Sequence, residues 1–194
     1  MITITPRLLA LIPLAVGINL ALGQFAAATS LPVFLDTVGT ILVATLVGLW
    51  PALLTGLVSQ LAFTVISGNA TWLAFLPIQL AVGACAAFAA RQALFRSTAT
   101  VIGTGLAMGA VAAALSWPIS YLMFGGVTAG GVTVVTTVLT GAGVPLKWAV
   151  LAASLSNDLL DKTATFFLVR VVLVSLPERA LARFPAARRA LGRA

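Results

Sequence analysis

The sequence predicts an all-α fold: a polytopic membrane protein, a bundle of six transmembrane helices with the N- and C-termini cytoplasmic. Three observations carry this. The 194 residues are 61% hydrophobic and 8% charged, whereas a soluble domain carries about 25% charged residues. The apolar residues fall in long runs, and about 20 such residues cross a bilayer. The charge is one-sided, with eleven Lys or Arg against four Asp or Glu. Arg179, Arg183, Arg188, Arg189 and Arg193 all follow Leu176, which suits an anionic membrane face.

The first run, 8–28, follows Arg7. Phe25-Ala26-Ala27-Ala28 resembles a signal-peptide cleavage site. The run is longer than a signal core and more spans follow at once, so it reads as a retained helix. The second run, 35–49, opens with Asp36. Trp50-Pro51 reads as a tight turn, with Pro51 at the first position of the third helix, 51–66. Ser67-Gly68-Asn69 breaks that helix. The fourth run, 72–90, is ended by Arg91 and Arg96. The fifth, 98–122, carries Pro118 as a kink or an end. The glycines from Gly125 to Gly131 are too dense for a stable helix, and 132–140 reads as a short re-entrant or surface helix. The sixth run, 147–176, stops at Pro177.

Orientation follows from Lys and Arg. Arg7, the Arg91/Arg96 loop and the basic tail lie inside, and the loops at 28–35, 67–71 and 123–146 lie outside. The chain therefore divides into a six-helix transmembrane domain, 1–178, and a basic cytoplasmic tail, 179–194, in the cell membrane. The tail reads equally as an amphipathic surface helix or as a frayed end that sets topology. The pI near 11.5 invites a nucleic-acid reading, but no basic patch lies on a soluble domain, so no nucleic acid is expected.

The polar residues inside the runs are the candidates for function. Asp158, Asp161 and Lys162 lie deep in the sixth span, where a charge costs about 2.5–3.5 kcal/mol. Asp158 and Lys162 are four apart and can pair on one helix face, which leaves Asp161 without an in-helix partner. The trio reads as a substrate or coupling site, or as a polar network holding helices together. Asn157 joins either. Asp36 either caps a helix with Ser30 and Thr37 or sits at a pocket rim. Asn19, Gln24, Gln60, Asn69 and Gln79 are amides of the middle or outer half of the membrane, and amides there need partners. With Trp72, Trp117 and Tyr121 they describe a pocket open to the outside for a small polar or heteroaromatic solute. Each aromatic singly reads as an interfacial belt residue. Gly17-x-x-x-Ala21 is a close-packing stripe, either within the chain or for a partner.

What is missing narrows the chemistry. There is no His and one Cys, Cys85. This excludes intrachain disulfides, Cys/His zinc sites and His-activated nucleophiles, so neither an enzyme, a metal site nor a cofactor is expected. No Gly-x-x-x-x-Gly-Lys-Ser/Thr run occurs, so no loop of that type cradles ATP phosphates here. Active transport would draw on a partner chain or an ion gradient. The residues alone leave open a solute-binding subunit, a multi-span sensor or scaffold module, and a stand-alone ion-coupled carrier working through Asp158, Asp161 and Lys162.

Longer stretches narrow this further. Ile18-Asn19-Leu20 is followed by Leu31-Pro32-Val33-Phe34-Leu35-Asp36-Thr37-Val38-Gly39-Thr40. Gly48-Leu49-Trp50-Pro51-Ala52, Phe124-Gly125-Gly126-Val127-Thr128 and Asp158-Leu159-Leu160-Asp161-Lys162-Thr163 continue the pattern. Together they resemble the substrate-specific S components of energy-coupling factor (ECF) transporters, over nearly the whole chain. The resemblance implies six helices that capture a vitamin or related micronutrient from outside. It also implies docking onto a transmembrane T component driven by two ATPase subunits, with loops near Asp36, Asn69 and Gly125–Gly131 covering the solute. The Ala-x-x-x-Ala motif often found in the family's first helix is replaced by Gly17-x-x-x-Ala21. Gln60 stands where an Asn is usual.

Overall fold

The computed structural model describes residues 10–29, 31–128 and 131–193. Arg7, Ser30, Gly130 and the start of the first expected span lie outside them. All regular structure among the described residues is helical. In chain order the helices are α1 (Leu11–Ala28), α2 (Val38–Leu46), α3 (Leu49–Ser67), a 3-10 turn (Ala70–Phe75), α4 (Leu76–Arg91), α5 (Thr98–Leu122), α6 (Gly131–Gly141), α7 (Leu146–Ser175), α8 (Glu178–Leu181) and α9 (Pro185–Ala190).

Four stretches are long and apolar enough to cross a membrane: α1, α3, the 3-10 turn joined to α4, and α5. Helix α7 has 30 residues, about 45 Å at 1.5 Å per residue, but carries Lys147, Asp158, Asp161, Lys162 and Arg170. The second expected span is shorter than the sequence predicts. Helix α2 has nine residues, about 14 Å, against a hydrocarbon core of about 30 Å. Seven of them are buried, Val38 to Ile41 and Val43 to Thr45, so α2 is enclosed by its neighbours. Its turn into α3 also comes earlier than Trp50-Pro51. Gly48 adopts φ 117°, a backbone conformation open to glycine and strained for other residues, and α3 begins at Leu49.

Other ends follow local chemistry. Gly68, in the left-handed conformation, closes α3. The Asn69 carboxamide accepts Thr71 N–H and starts the 3-10 turn. Ser97 caps α5 by accepting Thr100 N–H. Pro118 does not end α5, which continues to Leu122. The expected short helix at 132–140 is α6, which packs on α7.

The molecule is apolar outside and polar inside. Leu54, Val58, Leu61 and Val65 line the outer face of α3 at 37–79% exposure. Asn19, Ser59, Gln79, Asp158, Asp161 and Lys162 are all buried. A surface of this kind is solvated by lipid, not water, and this is the build of a membrane protein. Helices α5 and α7 pack closely on one another. A Cβ on Gly105 would lie 2.6 Å from Thr163 Cα, and one on Gly109 would lie 2.7 Å from Leu159 Cα. Small residues here let the two backbones touch.

The described arginines gather at one end. Phe95, after α4, stacks on Phe166 of α7 with ring centroids 5.8 Å apart, and its carbonyl accepts Arg170 Nη1 at 3.3 Å. The tail is neither frayed nor detached. Leu181, Ala187 and Ala190 are fully buried, α9 packs on α2 and α4, and Gly192 approaches Arg96. Arg193 pairs with Glu178 at 2.9 Å.

Candidate functional site

The opposite end of the bundle holds a cavity of about 280 Å³. Six helices, the 3-10 turn and the segments before α2 and α6 build it. Gly23, Gln24 and Ala27 come from α1, Gln60, Phe63 and Ser67 from α3, Gln79 from α4, Ser116 and Ser120 from α5, and Asp158 and Lys162 from α7. Val33, Phe34, Asp36 and Thr37 close one side, and Trp72, Phe75, Thr128 and Val132 another.

The polar floor is a linked set. Asp161 is fully buried. Its Oδ1 accepts the backbone N–H groups of Phe34 at 2.8 Å and Leu35 at 2.7 Å, and its Oδ2 accepts Lys162 Nζ at 2.5 Å. Lys162 also lies 3.8 Å from Asp36 Oδ1. Gln79 Nε2 donates to Asp36 Oδ2 at 3.1 Å, and Ser116 Oγ donates to Asp158 Oδ2 at 2.5 Å. The expected Asp158–Lys162 pair is therefore not the one formed: Lys162 pairs with Asp161 and Asp36, while Asp158 reaches across to α5. Nor does Asp36 cap α2, because Thr37 holds the cap position without a side-chain bond.

The apolar wall is aromatic. Trp72, Phe75 and Phe124 form a triangle with centroids 5.4–5.9 Å apart, and Phe63 and Phe34 add to the lining. Among the described residues no three His, Cys, Asp or Glu side chains form a group able to hold a metal ion.

The chain matches no family model, no curated protein and no solved structure. The functional reading therefore rests on this geometry.

Of the residues singled out from sequence, the cavity brings together Gln24, Asp36, Gln60, Trp72, Gln79, Asp158 and Lys162. Others have different work. Asn19 donates to Thr40 Oγ1 and Ser59 Oγ, each at 2.9 Å, and accepts Gly39 N–H at 2.7 Å, so it ties α1 to α2 and α3. With its amide nitrogen toward Pro32, Asn157 donates to that carbonyl at 2.8 Å and accepts Val132 N–H at 2.7 Å. It fastens α6 and the segment before α2 to α7. Asn69 is the turn cap described above. Trp117 Nε1 donates to the Lys147 carbonyl at 3.3 Å, and neither Trp117 nor Tyr121 lines the cavity. Gly17 and Ala21 lie on the exposed face of α1, and no atom outside the helix lies near a Cβ on Gly17.

The sequence reading passes over Ser116, Ser120, Phe63 and Phe75. For Ser116 a signal exists: Gly105, Gly109, Ala112 and Ser116 repeat at helical spacing. The face that touches α7 through its glycines carries its serine toward Asp158.

Proposed function

We propose that this protein is a membrane-embedded solute-binding subunit for uptake, of the S-component type in ECF transporters. It captures a vitamin or related micronutrient from outside, and a T component and two ATPase subunits drive its import. One observation carries the reading: a cavity with a polar floor and an aromatic wall lies at the end opposite the arginines. With the arginine end in the cytoplasm, as the positive-inside rule favours, that cavity faces the source of the solute. Six passages of the chain, one of them made by the short α2 together with the segment before it, and both termini inside, fit this orientation in the cell membrane. The chain lacks a phosphate-cradling loop of the Gly-x-x-x-x-Gly-Lys-Ser/Thr type, consistent with energy supplied in trans. Chemistry on the solute is not part of the proposal.

The test is affinity purification from native membranes with mass spectrometry of both fractions. A small organic solute, a multi-span protein and two ATPase chains are expected to co-elute. Solute without those proteins would retain the binding site and remove the ECF assignment. Uptake into vesicles holding this chain alone would favour a stand-alone carrier instead.

A further inference from the structure

We infer that the solute is a small organic cation, its positive nitrogen seated between Asp36, Asp158 and Gln79 and its flat body against Trp72. The inference rests on the solute-binding reading and adds the charge of what is bound.

Charge counting comes first. The polar floor contains three carboxylates, Asp36, Asp158 and Asp161, and one ammonium, Lys162. Lys162 is 2% exposed and its close contact is Asp161, at 2.5 Å. Asp161 also holds two backbone N–H groups through its other oxygen. That pair is satisfied and neutral in sum. Asp158 then has a serine hydroxyl, and Asp36 has an amide nitrogen and a cation at 3.8 Å. An anionic solute would meet this excess of negative charge in a poorly solvated site.

Hydrogen-bond demand gives an independent argument. Gln79 is 2% exposed and lines the cavity. Its nitrogen is committed to the Asp36 carboxylate, which fixes the amide's orientation. Its Oε1 has no hydrogen-bond partner, and Asp36 Oδ1 has only Lys162 Nζ at 3.8 Å, beyond hydrogen-bond reach. Buried acceptors are costly to leave unmade. Both need donors, and a protonated amine or amidinium supplies several donors together with the missing charge. The rings of Trp72 and Phe75 beside this floor suit a planar cation or an aromatic body. At about 280 Å³ the space is at the small end of ligand pockets, about 300–1,000 Å³.

The experiment uses three probes of one shape and different charge: benzamidine, benzamide and benzoate. Binding to the purified full-length chain in detergent is read by calorimetry and by quenching of tryptophan fluorescence. Benzamidine is expected to bind about tenfold or more tighter than benzamide, a gap of one decade in Kd, and benzoate weakest. Asp158→Asn and Asp36→Asn should each remove most of the benzamidine advantage over benzamide. Trp72→Phe should retain the charge order with a smaller quench. The wild-type series decides the matter even if a variant fails to fold. Equal affinities, or benzoate tightest, would overturn the cation assignment while keeping a solute site. Binding of none at millimolar concentration would remove both.

Discussion

Asp161, in the middle of α7, accepts the backbone N–H of Leu35 at 2.7 Å. Leu35 has φ 55°, a left-handed conformation that costs a leucine about 1–2 kcal/mol. The carboxylate thus holds a strained bend that aims Asp36 and Thr37 at the cavity. Asp161→Ala would leave two backbone N–H groups and Lys162 without this partner. A loss of about 3–5 kcal/mol is expected, as for breaking a buried pair from one side. A thermal melt in detergent measures it, and a midpoint equal to wild type would refute the assignment.

The α5–α7 contact gives a prediction with an internal control. Gly109→Leu puts a side chain where even a Cβ would lie 2.7 Å from Leu159 Cα, so the helices must part. Gly103 has nothing within 4 Å of that position. Gly103→Ala should be neutral or stabilising by about 0.4–1 kcal/mol. Size-exclusion profiles are expected to show aggregate for the first and a monodisperse peak for the second. Similar profiles would mean the helices do not approach as described.

Asn19 tests a structural role against a binding role. Asn19→Ala removes three bonds joining α1, α2 and α3 and strands the Gly39 N–H. A cost of about 1–3 kcal/mol is expected. Because Asn19 lies off the cavity lining, the folded fraction should bind its solute with unchanged affinity. A weakened Kd at full occupancy of the folded state would place Asn19 in recognition after all.

The tail yields a fourth. Leu181 is fully buried, so Leu181→Ala should lower stability by about 2–5 kcal/mol. Chemical denaturation in detergent reads this directly. A tail that merely carried charge would show no change.

Much of the fold is legible in the sequence because lipid imposes it. Runs near 20 apolar residues, the Ser97 start of α5 and the stop at Pro177 all mark real ends. The depth of α2 is not legible. Its residues are as apolar as those of a lipid-facing helix, and nothing local distinguishes burial in protein from burial in hydrocarbon. The site was half visible for a related reason. Asp36, Gln79 and Asp158 stand out because a charge or amide in an apolar run demands partners. Ser116 and Ser120 do not, since a hydroxyl within a helix can bond its own backbone. Asn19 and Asp36 look equivalent in sequence, and only the tertiary partners separate scaffold from cavity.

Helix α2 presents no exposed residue, and this bears on how the molecule answers to its surroundings. Its lipid-facing neighbours must tilt or stretch when a bilayer thickens or thins. An enclosed helix has no such boundary to match. The groups just before it, Asp36 and Thr37, then keep their spacing to Gln79 and Asp158 by protein contact alone, so lipid composition should move the bundle while leaving the geometry of the cavity constant.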